Sequence, residues 1–319
     1  TFTHVGKCSG GGVPIDMTTG GIGGGFTYLT LPKVVGVVYA AVPDGSGGMI
    51  IGGLFTHVGG LVRTNLARIL STGVVDPIFT AGTDGVVYSL AVNGTKVYVG
   101  GSFGLLGGQT RNYAGAVIIS TGATDTDWNP SPDGVVSRMI ISGVGNIYAG
   151  GSFTNIGGQA RACLAELDTT FGTATPAWNA NLTCTQITAL EFDSGESNLY
   201  IGGSMSQINA TPRNNGGGVV ISSAAVNSWN PDTNGNINVI TRSGSTVYIG
   251  GGFSTINAGA ASRVRMAAVD DINGTDTGWN PNITGNHVAT ISVSGTNVFV
   301  GGLFSVIGGQ TRANLASVD

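Results

Sequence analysis

Residues 97 to 112, VYVGGSFGLLGGQTRN, bring two glycine pairs and an arginine together. Bare backbone amides beside a guanidinium are the ingredients of an anion cradle. The phosphate-loop pattern, however, needs Lys and Ser/Thr directly after its second glycine, whereas Gln109, Thr110 and Arg111 stand here with no helical segment to follow. The arginine itself recurs. Arg63, Arg111, Arg161, Arg213 and Arg312 each lie eight residues after an anchor (Phe55, Phe103, Phe153, Met205, Phe304), and Arg263 lies ten after Phe253, so six of ten arginines share one position. Such a series has two chemical uses. A ring of cationic donors would hold acidic glycans or phosphates. Alternatively, each guanidinium staples neighbouring units by bonding backbone carbonyls or an Asp and stacking on an aromatic ring. A residue placed alike in every copy serves the packing of the copies first, so the staple is the expectation.

Other chemistries find less support. Asp125 and Asp127 before Trp128, with Asp276 before Trp279, suggest a calcium loop only until their spacing is compared with that of an EF-hand, and other copies lack these carboxylates; they are expected to form turns. No metal site follows. His4 and His57 occupy equivalent FTHV positions and His287 stands alone, so no nucleophile, base and acid can be assembled. Glycosidase chemistry needs paired carboxylates, but the 17 acidic residues fall mostly in turns, and the sialidase-type S-x-D-x-G-x-x-W box is absent. The chain is therefore expected to be no enzyme and to need no cofactor, with a glycan-acting enzyme as the remotest alternative. Cys8, Cys163 and Cys184 make an odd number without zinc-site spacing. Cys163 and Cys184 fall on successive copies, near enough in the pattern to pair or to remain buried thiols.

Composition narrows the field. Charged residues are only 9% and apolar residues 41% of the 319, which is the makeup of a folded chain and the opposite of a disordered one. Apolar runs such as VVGVVYAAV (34–42) are too short to span a membrane. Thirteen basic residues spread thinly, with net charge −4, give no stripe for nucleic acid and no polybasic membrane patch. The start at Thr1, without Met or a signal pattern, suggests a processed form or an excerpt of a longer chain. The five N-x-T sequons at Asn93, Asn181, Asn209, Asn273 and Asn282 are no more than such an Asn-, Ser- and Thr-rich chain contains by chance.

What must position the arginines is a repeat. Anchors at Phe55, Phe103, Phe153, Met205, Phe253 and Phe304, with Phe2 heading a truncated copy, give spacings of 53, 48, 50, 52, 48 and 51 residues. A period near fifty suits propeller blades better than helical solenoids. SLAVNGTKVYVGG (89–101) is two β-rich runs around Asn-Gly, a hairpin. A third piece reads LARIL (66–70), LAELD (164–168), MAAVD (266–270) and LASVD (315–319), and a fourth carries Phe26, Phe79, Trp128, Trp178, Trp229 or Trp279. The spacing predicts an all-β fold, a β-propeller of six four-stranded blades, with seven as the alternative, in one domain over 1–319. Six blades require the strand around Phe26 to complete the blade begun at the C-terminus and leave residues 10–16, with Pro14, as a surplus piece.

The unit VGGSFTNIGGQARACLAELDTTFG followed by WN (150–179), with its G-G-x-F-x-x-x-G-G-x-x-R core, its L-A-x-x-D and the Asp-Gly lead-ins at Asp84-Gly85 and Asp133-Gly134, resembles the bacterial delta-60 repeat, a β-propeller family of largely unknown function. Met205, Asn209-Ala210 and Asn234-Gly235 depart from that pattern. The resemblance implies extracellular or cell-surface placement and no particular activity. The expectation is a non-catalytic structural or interaction module of an extracellular, cell-surface or virion-associated assembly. Its partners are other protein subunits or surface glycans, and self-assembly through an incomplete terminal blade is a further possibility. The alternative is a lectin-like adhesin whose glycan sits on the rim formed by these arginines and by the loops after the tryptophans.

Overall fold

A computed structural model describes residues 31–319. The expectations attached to Phe2, His4, Cys8, residues 10–16 and Phe26 lie outside these residues. Among the described residues the regular elements are strands, and the longer ones fall into six triplets. The first is β1 (Val34–Pro43), β2 (Met49–Val58) and β3 (Leu66–Ile69), and the second is β4 (Val86–Asn93), β5 (Lys96–Ser102) and β6 (Ala114–Ile118). β7 (Val136–Ile141), β8 (Ile147–Gly151) and β9 (Leu164–Leu167) follow. Next come β10 (Leu182–Phe192), β11 (Asn198–Ile208) and β12 (Gly216–Val220), then β13 (Ile237–Ser243), β14 (Thr246–Gly251) and β15 (Met266–Asp270). The last triplet is β16 (Thr284–Ser294), β17 (Asn297–Ile307) and β18 (Leu315–Val318).

The chain divides into two compact units. One runs to Ile147 and takes in Asn155–Gln159 and Leu167–Ala174; the other holds Tyr148–Thr154, Ala160–Glu166 and Thr175–Asp319, so the residues of the third triplet are shared out between them. Within the other five triplets the middle strand pairs antiparallel with both its partners. These middle strands, KVYVGGS in β5 for example, are apolar on both faces because both are covered. The core of the first unit gathers Ile50, Leu66, Phe79, Val87, Val97, Val99 and Phe103, and that of the second gathers Trp229, Ile237, Ile240, Val247, Ile249 and Phe253.

The first glycine pair of each copy has two separate tasks. In the first five copies its leading member lies under a β-branched residue of the next copy, whereas in the sixth Gly301 faces Thr290 of its own copy. A Cβ on Gly52 would stand 2.4 Å from Val87 Cγ1, one on Gly100 2.8 Å from Val136 Cγ1, and one on Gly150 2.7 Å from Ile187 Cγ2. Gly202 meets Ile237 and Gly250 meets Val288 in the same way, at 2.7 and 2.6 Å. Its second member faces the preceding strand's backbone: a Cβ on Gly101 would reach 2.1 Å from Val86 O, and one on Gly251 2.0 Å from Asn236 O. Opposite the pair the first strand carries a bulge, between Val87 and Ser89 in β4 and between Ile237 and Val239 in β13. The later glycine pair turns the chain. Gly107 and Gly108 have φ of 55° and 77°, the two positive values of a type I′ turn, and Asn209-Ala210, the pair that departs from the glycine pattern, takes the same conformation at 47° and 61°.

Among the described residues the fourth piece, expected as a full strand, is held to its neighbour in five copies through a single antiparallel bridge: Ile69 to Val75, Val117 to Thr124, Leu167 to Ala174, Val219 to Val226 and Val269 to Asp276. The pairing ends there because the chain bends at once. Asp76 Oδ1 accepts the Ile78 N–H and Asp125 Oδ1 the Asp127 N–H, both at 2.9 Å, and these turns carry the following aromatic into the core.

Replacing Gly100 by Ala forces its Cβ into Val136 and is expected to cost about 1–3 kcal/mol. In urea unfolding, Gly100→Ala combined with Val136→Ala should be more stable than the sum of the single changes by at least roughly 0.5 kcal/mol. Strict additivity would contradict the contact.

Candidate functional site

The six arginines of the sequence series occupy one local setting. Arg111 Nη1 donates to Thr110 O at 2.8 Å, and its Nη2 donates to Asp125 O at 2.8 Å and Thr126 O at 3.2 Å, just before Trp128. Arg161 repeats this on Ala160 O, Thr175 O and Pro176 O at 2.8, 2.9 and 2.9 Å. Arg63 reaches Val62 O, Asp76 O and Pro77 O, and Arg213 reaches Pro212 O and Asn227 O. Arg263 uses a carboxylate instead, with Nε and Nη2 forming a fork on Asp276 and Nη1 on Ser262 O. Arg312 Nη1 donates to Thr311 O. Arg111 and Arg161 are buried, and burial lowers the guanidinium pKa of Arg161 and Arg213. The acceptors lie in the fourth piece of the arginine's own copy, thirteen to fifteen residues on, so the expected link between copies is made by other groups.

Those groups are the tryptophans. Trp128 Nε1 donates to Asp168 O at 2.9 Å, Trp178 Nε1 to Ile221 O at 2.7 Å and Trp229 Nε1 to Asp270 O at 3.1 Å, each in the following copy. Each ring also rests on a tyrosine of its own copy: Tyr98 against Trp128 at 4.9 Å and Tyr148 against Trp178 at 5.3 Å, both edge to face, and Tyr200 against Trp229 at 4.7 Å. Tyr98 Oη donates to Thr169 O, and burial, with the charges of Asp125 and Asp168, pushes its pKa up to about 12. Burial and the charges of Asp271 and Asp193 do the same for Tyr200.

Carboxylates follow the same economy. Burial pulls the Asp168 pKa upward, but the Thr173 hydroxyl and the N–H groups of Phe171 and Thr170 outweigh it and hold it below the ordinary range; Asp270 is held alike by Thr275, Asn273 and Ile272. Asp125 caps its turn and pairs with Lys96. Asp76 and Asp44 share Arg68, at 3.1 and 2.8 Å, and although burial opposes ionisation, the Ser46 N–H and hydroxyl with Arg68 bring Asp44 down to about 2. Asp84 Oδ1 accepts from Leu105 and Gly104, which lowers its pKa, and it borders a shallow open groove with Asn112, Tyr113, Pro132 and Asp133. His57 Nδ1 lies 3.0 Å from Thr56 Oγ1.

One functional position escaped the sequence. The residue ten after most anchors has positive φ: Asn65, Tyr113, Cys163, Asn215 and Asn314, with Arg265 twelve after its own. From there the side chain reaches the start of the next copy. Asn65 Nδ2 donates to Thr83 O and Gly85 O, Asn215 Nδ2 to Thr233 O and Arg265 Nε to Gly285 O. Cys163 makes the same link covalently, as a disulfide to Cys184 of β10 with Cα atoms 6.5 Å apart. The signal available was the asparagine repeated at that offset, Asn65, Asn215 and Asn314, with Cys163 standing in the same place.

The antiparallel triplets of an all-β chain, each locked to the next, define a β-propeller class of fold. Residues 43–79 and 145–170 match the family model described as a domain of unknown function (DUF5122) beta-propeller, in keeping with the repeat that the sequence resembles. Among solved structures, the chain is similar to the computationally designed Ika8 protein, with a TM-score of 0.53 at 13% identity over 86% of this chain and 73% of that one. It is also similar to the Neurospora crassa Pan2 WD40 domain, with a TM-score of 0.50 at 14% identity over 82% of this chain and 71% of that domain. No curated protein matches the chain. At these identities the likeness concerns the fold alone. No helix among the described residues is long and apolar enough to cross a membrane.

Arg161→Lys keeps the charge but loses the fork that serves three carbonyls, so it is expected to destabilise nearly as much as Arg161→Ala, by about 1–3 kcal/mol in chemical denaturation. A Lys variant as stable as the unaltered chain would show that charge alone is needed there.

Proposed function

We propose that this chain is a non-catalytic interaction module of an extracellular or cell-surface assembly, presenting the loops and strand faces of a rigid β-propeller to partners. The observation that carries the reading is that the polar groups repeated in the copies are engaged in packing: guanidinium groups on carbonyls, and indole N–H groups on the following copy. A module built this way gives its regular positions to rigidity and leaves copy-specific positions for recognition. β-Propellers serve many functions, and the particular one is decided by the groups grafted onto the frame. The Cys163–Cys184 disulfide supports the compartment, because such bonds form and persist in oxidising surroundings. It closes a loop of 21 residues in separation, worth about 3 kcal/mol on chain entropy.

In the producing cells, the protein is expected to react with a membrane-impermeant amine label and to be recovered with Cys163 and Cys184 oxidised. Cys163→Ala with Cys184→Ala should melt at a lower temperature than the oxidised parent, and no lower than the reduced one. Confinement to the cytoplasm with both thiols free would contradict the proposed setting.

A further inference from the structure

In five triplets a bulge in the first strand leaves one residue unpaired opposite the glycine pair: Tyr39, Tyr88, Thr188, Asn238 and Ala289 in the first, second, fourth, fifth and sixth. In two copies the side chain serves the frame, since Thr188 Oγ1 donates to Ile237 O at 2.8 Å and Asn238 Nδ2 to Val288 O at 3.2 Å. In the sixth copy the position holds Ala289, and in the first two it holds tyrosines. Their rings stand 5.7 Å apart, tilted by 50°, and remain 52% and 37% exposed. Val35 and Val37 of β1 are about half exposed beside them, and neither β1 (VVGVVYAAVP) nor β4 (VVYSLAVN) contains a charged residue.

Two large rings left in water forgo burial that would favour folding. Bulges are also a device for re-aiming a side chain toward a ligand. We infer that Tyr39 and Tyr88 form an aromatic platform for a neutral polysaccharide chain. The chemistry selects this class. The C–H face of a pyranose ring stacks on an aromatic face, the spacing of the two centroids is on the scale of one sugar ring, and a phenol hydroxyl exchanges hydrogen bonds with sugar hydroxyls. Uncharged strands offer nothing to the carboxylate of an acidic glycan. The site is distinct from the arginine series, whose guanidinium groups are bound to carbonyls or, at Arg263, to Asp276. This inference rests on the interaction-module reading and supplies its partner class.

The test is calorimetric titration of the whole chain with cellohexaose, maltohexaose and chitohexaose, and with polygalacturonate as the charged control. At least one neutral chain should bind saturably, at least tenfold more weakly to Tyr39→Ala and to Tyr88→Ala at unchanged melting temperature, and comparably to Tyr39→Trp. In the unaltered chain the ring resonances of Tyr39 and Tyr88 should shift on saturation, a readout that requires no variant to fold. The inference is overturned if no neutral chain binds, if only polygalacturonate binds, if both alanine variants bind as before, or if the tyrosines instead mediate self-association in sedimentation. Release of new reducing ends from a bound chain would contradict the non-catalytic reading while leaving the platform in place. Failure to bind removes the platform and leaves the module reading standing.

Discussion

The contact on which the structure depends is the seating of a valine or isoleucine of one copy against a bare glycine of the copy before it. Gly52, Gly100, Gly150, Gly202 and Gly250 each present backbone where any side chain would collide with Val87, Val136, Ile187, Ile237 or Val288. Because the interior is close-packed, this clearance sets how near successive sheets approach. The second glycine of each pair lets the neighbouring strand bulge, and the bulge aims the residue that follows. Glycine is therefore costly in entropy and necessary in place.

The other repeated groups depend on that approach. Once a sheet lies against the glycine, the indole of the preceding copy reaches its third strand and donates to a carbonyl there. The arginine holds the segment that carries the indole, so its effect on the contact between copies is indirect. The positive-φ residue then ties the start of the next copy, by an amide in Asn65 and by sulfur in Cys163. A chain with only 9% charged residues can hold together in this way because backbone carbonyls replace carboxylates as the acceptors.

Much of this was legible in the residues. Fifty-residue spacing, Asn-Gly hairpins and glycine pairs identify the strands and their order, since each has a side-chain or turn requirement that fixes residue type. The arginine series was visible too, but its acceptors are carbonyls, which every residue has, so its target within the same copy was not. The fourth piece was expected as a strand and pairs at one bridge, because Asp76 and Asp125 draw the backbone into a turn that residue type alone does not locate. The positive-φ position holds Asn in three copies (Asn65, Asn215, Asn314), a residue type that tolerates that conformation, but Tyr113, Cys163 and Arg265 in the others, so it was legible only in part. Tyr39 and Tyr88 share only a bulge with Thr188, which no residue type marks, and that is where the copies differ in a way that packing does not require.

The repeated polar groups are spent on packing, the arginines within a copy and the indoles between copies. Hydrogen exchange at the indole N–H groups of Trp128, Trp178 and Trp229 tests this most directly, each being donated to a carbonyl of the next copy. Three indole signals are expected to persist long after a free indole would have exchanged, and to be lost only when neighbouring copies separate. Exchange of all three at the rate of free tryptophan would contradict that arrangement.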